Sequence, residues 1–482
     1  DEGFNMQQIP RHQQAGFLKL TSVMGAAYSL HTPLALPVAL RTGNAIVDHP
    51  YRPGPFYLLL PMNTQSACMK DFNLDEICWQ PPVRMGCAEG DYESAAKMIQ
   101  SARRVVIKAG GGAVGAKDEL ERLLDLSAGV LVHTPIATGC IPYSHPANMG
   151  VGGSKGSICG NFAMENADLL IAIGTRAVCQ SDSSRTAYPN VKQVININAD
   201  IDDALHYNQT LPLVGDIRST LSYLNDVIVK SHLVAKKGDW LEDCLAKKRA
   251  WQDLKRQRMA SPVIFDPYWK QEVLTQPAAI MTALEWAKTN NAISLFDSGD
   301  VQANGFQLAE DEVHGKTFTE IGASYMGFAA SALLSTALSR KPYYGLAFSG
   351  DGSFTMSPQI LLDGVQHGAR GCILIFDNRR MAAISGLQSA QYSTTYKTAD
   401  SVEVDYVAMA NSVRGVLGIF GGTSIGELRS TLERARAHHG LSVVHVPVYC
   451  GENELGGLGV FGDGNVGNWC ERVQEEHHRI GL

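Results

Sequence analysis

The stretch GDGSFTMSPQILLDGVQHGARGCILIFDNRR, residues 350–380, decides how this chain is read. The apolar run before Gly350 and the run Cys372 to Phe376 each spell a buried strand. Between them, Ser353 to Gly368 reads as a helix with Ser357 as N-cap, Pro358 at its first position and Gly368 just past its end. A strand-helix-strand crossover joins parallel neighbours, so Asp351 and Asn378, 27 positions apart, arrive at the same edge of one sheet. Ligands of doubly wound folds bind at that edge.

Two oxygen ligands with room for more suit a magnesium ion that is also held by phosphate oxygens and water. The glycines let backbone approach a diphosphate, and a helix N-terminus nearby favours its charge. Gly350-Asp351-Gly352 and Asn378 together resemble the diphosphate-and-magnesium motif of thiamine diphosphate enzymes, in which Gly-Asp-Gly is followed about two dozen residues later by Asn-Asn. The first Asn of that pair is Asp377 here, a departure at the position that is not the metal ligand. The resemblance implies Asp351, Asn378 and the carbonyl of Arg380 as metal ligands. The second triplet, Gly462-Asp463-Gly464, has no apolar strand before it and no partner Asn at the right distance after it, and reads as a turn.

Composition suits a globular enzyme. A chain of 482 residues, 45% hydrophobic, can bury a large core and divide into several domains. A net charge of -7 offers no basic footprint for nucleic acid, and no apolar run reaches the length of a membrane span. The ten cysteines include no Cys-x-x-Cys pair, so they read as buried thiols of a reducing compartment, and a cytoplasmic location is expected. The chain starts at Asp1, without methionine.

The fold class expected is α/β, with successive doubly wound parallel-sheet domains. Residues 1–75 contain a helical stretch, Pro33 to Val47, then the run Arg52-Pro-Gly-Pro, a short strand, Pro61, Asn63 and Gln65. These letters resemble the end of the pyrimidine-binding domain of acetolactate-synthase-like enzymes, with Asn63 in place of the usual Asp. Residues 90–228 alternate strands (Val105 to Ile107, Val130 to Val132, Leu169 to Ile173, Val194 to Ile197) with helices, as a second doubly wound domain does. Gly110-Gly-Gly112 lacks the spaced dinucleotide fingerprint. Ile141 to Pro146, Met149-Gly150 and Gly174-Thr-Arg176 resemble the family's central domain, which holds FAD in some members and nothing in many; FAD is not expected here.

Residues 229–265, rich in Lys, Arg and Trp, read as a solvated helical linker with Trp240 and Trp251 packed on a neighbouring domain and its charges on the surface. Residues 266–450 carry the diphosphate motif, and 451–482 form a glycine-rich tail. Within 266–450, Asp297-Ser-Gly299 closes the strand Ala292 to Phe296, and Met326 precedes a small-residue helix, Ala329 to Leu338. In relatives the residue at Met326 wedges beneath the cofactor and keeps its two rings folded together, a task that suits an adaptable thioether; a plain core role is the alternative. The resemblance thus implies cofactor contacts from Asp297, Gly299, Met326, Gly350, Asp351, Gly352, Ser353 and Asn378.

The chemistry that this resemblance implies is nucleophilic addition of the thiazolium carbon to a ketone or 2-oxo acid, with storage of the carbanion released when a carbon-carbon bond breaks. In relatives a glutamate of the pyrimidine domain, well upstream of Arg-Pro-Gly-Pro, drives this. Only 51 residues precede that run here, and Glu2 lacks the buried strand-end setting that tuning requires, so no catalytic residue is assigned. A longer parent protein, a second subunit that supplies the glutamate, or a relative without the usual catalysis would each account for this, in that order.

Asp377 to Gln388, Gly174 to Arg176, Arg185 to Ala187, Val194 to Asn198 and Val473-Gln474 resemble trihydroxycyclohexanedione hydrolases of inositol breakdown more than acetolactate synthases. That implies attack on a cyclic 1,2-dione, ring opening and hydrolytic release of an acid. The alternatives are a 2-oxo-acid carboligase or decarboxylase of the acetolactate or glyoxylate type, and a non-catalytic cofactor-binding subunit. Arg379 and Arg380 could orient an anionic intermediate or serve structure. Family members share active sites between subunits, which implies a homodimer or homotetramer.

Overall fold

A computed structural model describes residues 16 to 456 except 71, 78–83, 89, 155, 179–181, 183–185, 237, 321, 400, 401, 452 and 454. Glu2, Arg185, Asp463 and Val473-Gln474 therefore lie outside the described residues. The chain divides into two units, residues 1–88 and 89–482.

In the first unit, strands β1 (Ala26–Ser29) and β2 (Phe56–Leu59) pair in parallel, from Ala26 opposite Phe56 to Ser29 opposite Leu59. The Pro33 to Val47 stretch joins them as a 3-10 turn, Pro33–Ala35, running into the helix Leu36–Val47. Prolines at the start of each piece fix φ without wasting an N–H.

The second unit holds two six-stranded parallel sheets. Strands β3 (Val105–Ala109), β4 (Val130–His133), β5 (Asn148–Val151), β6 (Leu169–Ile173), β7 (Gln193–Asn198) and β8 (Thr210–Val214) lie in the order 5-4-3-6-7-8. The order reverses beside β3, which marks a doubly wound sheet. The Gly110 to Gly112 segment at the end of β3 packs on the end of β6, where the Gly112 amide donates to the Gly174 carbonyl at 3.0 Å.

The hairpin β9 (Val263–Asp266) and β10 (Gln271–Leu274) precedes the second sheet, made of β11 (Ile293–Phe296), β12 (Thr317–Thr319), β13 (Gly345–Gly350), β14 (Gly371–Asp377), β15 (Leu417–Phe420) and β16 (Leu441–Pro447), in the order 12-11-13-14-16-15. Strands β13 and β14 are parallel neighbours, Gly350 facing Phe376, so Asp351 and Asn378 do emerge side by side at one edge. Both strands are buried over nearly their whole length, which explains their unbroken apolar letters.

The crossover between them differs from the sequence reading. One helical turn, Asp351–Phe354, follows Gly350 directly, and the regular helix begins only at Ile360 and ends at His367. Ser357 caps nothing, because Ser357 and Pro358 are spent in a turn whose carbonyls accept the N–H groups of Ile360 and Leu361. Gly368 does close the helix, at φ 71°. The small-residue helix is also interrupted: Phe328–Ala332 and Ser335–Leu338 are separate pieces.

The linker expectation needs a correction too. Its helix, Trp240–Ala260, buries Trp240 and Trp251 as read, but it also buries Lys255 and Arg258. Lys255 pairs with Glu310, and both cations lie near the Trp251 ring, 5.7 and 6.0 Å from its centre. A buried stripe of indole rings draws charges inward when their stems pack and their heads find π faces or carboxylates. Of the described cysteines, Cys140, Cys159, Cys244 and Cys372 are buried thiols. Among the described residues no helix is long and apolar enough to cross a membrane.

Candidate active site

The carboxyl edge of β11, β13 and β14 gathers most of the residues singled out from the sequence. Asp297 ends β11 fully buried. Its Oδ1 accepts the Ser298 and Gly327 amides at 3.0 and 2.9 Å, and its Oδ2 accepts the Ser349 hydroxyl at 2.9 Å. Burial pushes this carboxyl up and those donors oppose the shift. Asp297 thus joins β11, the end of β13 and the turn bearing Met326. Its carboxylate is occupied by this joint.

Gly299 follows at φ 94° and ψ -150°, a conformation essentially reserved for glycine, and opens the helix Asp300–Leu308. A side chain there would meet nothing within 4 Å, so open space lies in front of it. At Gly352 a Cβ would meet only two thioether ends, Met381 Sδ at 3.1 Å and Met326 Cε at 3.4 Å. Met326 therefore borders the Gly-Asp-Gly turn, as a residue lying beneath a bound ligand would. Ser353 is buried in the helical turn that follows Gly350.

Asp351 and Asn378 are each 5% exposed. Asp351 Oδ2 is sealed from solvent without a hydrogen-bond partner. Burial, and next the charge of Asp377, push the Asp351 carboxyl up to about 9. Asn378 donates its amide to Asp300 Oδ2 at 2.9 Å and accepts the Arg380 N–H at 3.1 Å. The Arg380 carbonyl accepts the Ala382 N–H at 3.0 Å. Asp377, the departure from the family's Asn, receives His445 Nε2 at 2.9 Å and the Arg379 amide at 3.0 Å.

Several neighbours escaped sequence reasoning. Asp300 holds Asn378 and Gln276 at once, 2.9 Å from each, and Gln276 is bonded in turn to Asn304. Its place directly after Asp297-Ser-Gly299, in the first turn of a helix, was the available signal. Glu320 folds the loop before Met326: its carboxylate accepts the amides of Gly322, Ala323 and Tyr325, the last at 3.1 Å. Burial works against its charge, yet those amides hold its carboxyl below the usual range. Arg379 and Arg380 stack on the β9–β10 hairpin, 5.6 Å from the Trp269 ring centre and 4.5 Å from that of Tyr268. Such stacking pins the loop after β14 to the hairpin.

Does this edge suit a diphosphate and a divalent cation? An unpartnered carboxylate oxygen, a buried amide beside it and glycines that leave room for close approach are what such a group needs. No group of three or more His, Cys, Asp or Glu among the described residues could hold a metal by itself. A set of one carboxylate, one amide and one carbonyl would escape that criterion, and it would leave positions for phosphate oxygens.

Residues 92–224 match the family model described as the central domain of thiamine pyrophosphate enzymes, and residues 297–446 match their C-terminal, thiamine pyrophosphate-binding domain. The chain belongs to the thiamine pyrophosphate enzymes. The binding-domain match runs from Asp297 through Gly350–Gly352 and Asn378 to the end of β16, so the family's binding domain contains the edge described above. Among relatives, the 3D-(3,5/4)-trihydroxycyclohexane-1,2-dione hydrolase of Lacticaseibacillus casei is 27% identical over 411 residues, 79% of this chain and 62% of the relative. The protein of the same name from Bacillus subtilis is 26% identical over 446 residues, covering 86% and 68%. A probable acetolactate synthase large subunit of Methanocaldococcus jannaschii is 26% identical over 404 residues, covering 80% and 65%. The chain thus spans about two thirds of the length of these relatives.

Proposed function

We propose that this protein acts with thiamine diphosphate and magnesium to cleave a carbon-carbon bond next to a carbonyl, by hydrolytic ring opening of a cyclic 1,2-dione such as trihydroxycyclohexane-1,2-dione. The observation that carries the reading is the unpartnered Asp351 Oδ2 beside Asn378 at the Gly350–Gly352 turn. The names of the relatives support the substrate class.

In this reading Asp351, Asn378 and the Arg380 carbonyl hold the cation, and Gly299 and Gly350 to Ser353 receive the diphosphate. The thioether of Met326 supports the body of the cofactor. Asp297 keeps the Met326 turn and the Ser349 end of β13 in register, and Asp300 orients the Asn378 amide. Thiamine diphosphate supplies a carbon nucleophile and an electron sink. This chain binds and orients it and keeps water from its inner face. A 2-oxo-acid carboligase is the second reading, favoured by the acetolactate synthase relatives.

Calorimetry with thiamine diphosphate, with and without magnesium, tests the binding site. Magnesium-dependent binding that disappears in Asp351→Ala and Asn378→Ala is expected, and undiminished binding in both would place the site elsewhere. The reaction is tested by incubating the loaded protein with the cyclic dione or with pyruvate. Acid formation without carbon dioxide supports the hydrolase, and carbon dioxide release from pyruvate supports the carboligase.

A further inference from the structure

Arg379 stands between two residues assigned to the cation above, Asn378 and Arg380, and its backbone is left-handed, at φ 60°. A residue with a β-carbon keeps that conformation only where its surroundings over-determine it. Part of the hold is local. The Arg379 N–H donates to Asp377 Oδ1 at 3.0 Å, and Asp377 Oδ2 receives His445 Nε2 at 2.9 Å.

The rest comes from the β9–β10 hairpin. Arg379 lies over the Trp269 ring and Arg380 over the Tyr268 ring, 5.6 and 4.5 Å from the ring centres. The Nε of each arginine is sealed from solvent without a hydrogen-bond partner, so the ring faces hold these two heads. The turn that presents the rings is itself fixed. Buried Asp266 accepts the Tyr268 and Trp269 amides on Oδ1, at 2.8 and 3.2 Å, and the Cys450 amide on Oδ2 at 3.2 Å. The Leu274 carbonyl of β10 accepts the Tyr449 amide just past β16 at 2.9 Å, which roots the hairpin at the carboxyl edge of the sheet that carries Asp351 and Asn378. Trp269 also lies 5.9 Å from the His445 ring, so one indole borders both partners of Asp377.

The left-handed step at Arg379 reverses the chain between the Asn378 side chain and the Arg380 carbonyl, so the relative direction of these two groups depends on it. We infer that Trp269 is a positioning residue of the cation site: its ring face holds Arg379 left-handed and thereby sets how Asn378 and the Arg380 carbonyl are presented. The inference rests on the cation site proposed above and names what keeps its loop in shape. The guanidinium of Arg379 acts on the ring and not on a substrate. With the ring removed, a residue with a β-carbon returns to negative φ, and binding of the cation has to draw it back. Glycine takes either sign of φ about equally well, so it has no need of the ring.

The test measures the magnesium concentration at which thiamine diphosphate binding, followed by titration calorimetry of the full chain, is half-maximal. Trp269→Leu and Arg379→Ala should each raise it about fivefold or more, and Trp269→Phe, which keeps a ring face, by about twofold or less. Arg379→Gly removes the same guanidinium as Arg379→Ala, yet it should stay within about twofold of native and should bring Trp269→Leu back to that level. The two Arg379 variants decide the matter even where Trp269→Leu fails to fold. Equal weakening in Arg379→Ala and Arg379→Gly overturns the inference, because the charge and not the backbone would then matter, and an unchanged value in Arg379→Ala overturns it too. A native protein that binds thiamine diphosphate without magnesium, or not at all, overturns the cation site and this inference together.

Discussion

Replacing Asp351 by asparagine should make the ligand-free protein more stable and abolish its response to magnesium and thiamine diphosphate. The Oδ2 of Asp351 has no partner, and Asp377 stands close enough to raise its carboxyl. An unsatisfied buried acceptor costs about 1–3 kcal/mol. Asparagine keeps the shape and offers Asp377 a donor without the proton uptake that the raised Asp351 carboxyl needs, so the ligand-free variant should gain about that amount. The native protein gains about 4.1 kcal/mol when a ligand is present at a thousand times its Kd, more than the whole of that advantage, and the variant gains nothing. The order of stabilities should therefore reverse on adding cofactor and metal. Urea unfolding of both proteins, with and without magnesium and thiamine diphosphate, measures all four values. A variant less stable than native when ligand-free, or one that keeps the full ligand increment, would refute the reasoning.

Three further outcomes are expected. Gly299→Ala should lower stability by about 1–3 kcal/mol in thermal unfolding, since the space is open but the backbone conformation is closed to alanine. Burial pushes the Lys108 ammonium, which donates to the Gly152 carbonyl at 3.0 Å, down to about 7. Unfolded lysine titrates near about 10.4, so its contribution is present above that pH and is lost as pH falls through 7; Lys108→Met should flatten this rise of stability with pH in urea titrations. Trp251→Ala should cost about 3–5 kcal/mol, measured by urea unfolding, because it empties a site 1% exposed between the two sheets' helices.

The strands were legible wherever both faces are buried, as in β13 and β14, because their letters are continuous and apolar. The neighbouring positions of Asp351 and Asn378 followed from the parallel crossover. What could not be read were choices between equally polar alternatives. Ser357 and Pro358 have the letters of a helix start, yet the turn after Phe354 uses their carbonyls first. Lys255 and Arg258 look like surface charges until Trp251 and Glu310 are placed beside them. Asp300 and Glu320 act through partners distant in sequence or through backbone amides, and neither leaves a spacing signature.

The carboxylate of Asp297 has a consequence for how the candidate site can move. One side chain grips the Gly327 amide with one oxygen and the Ser349 hydroxyl with the other. Met326 is the residue before the first grip, and Gly350 is the residue after the second. The gap between the thioether and the Gly-Asp-Gly turn is thereby gauged by a single rigid planar group, as the jaw of a caliper is set by its bar, and cannot widen on one side alone.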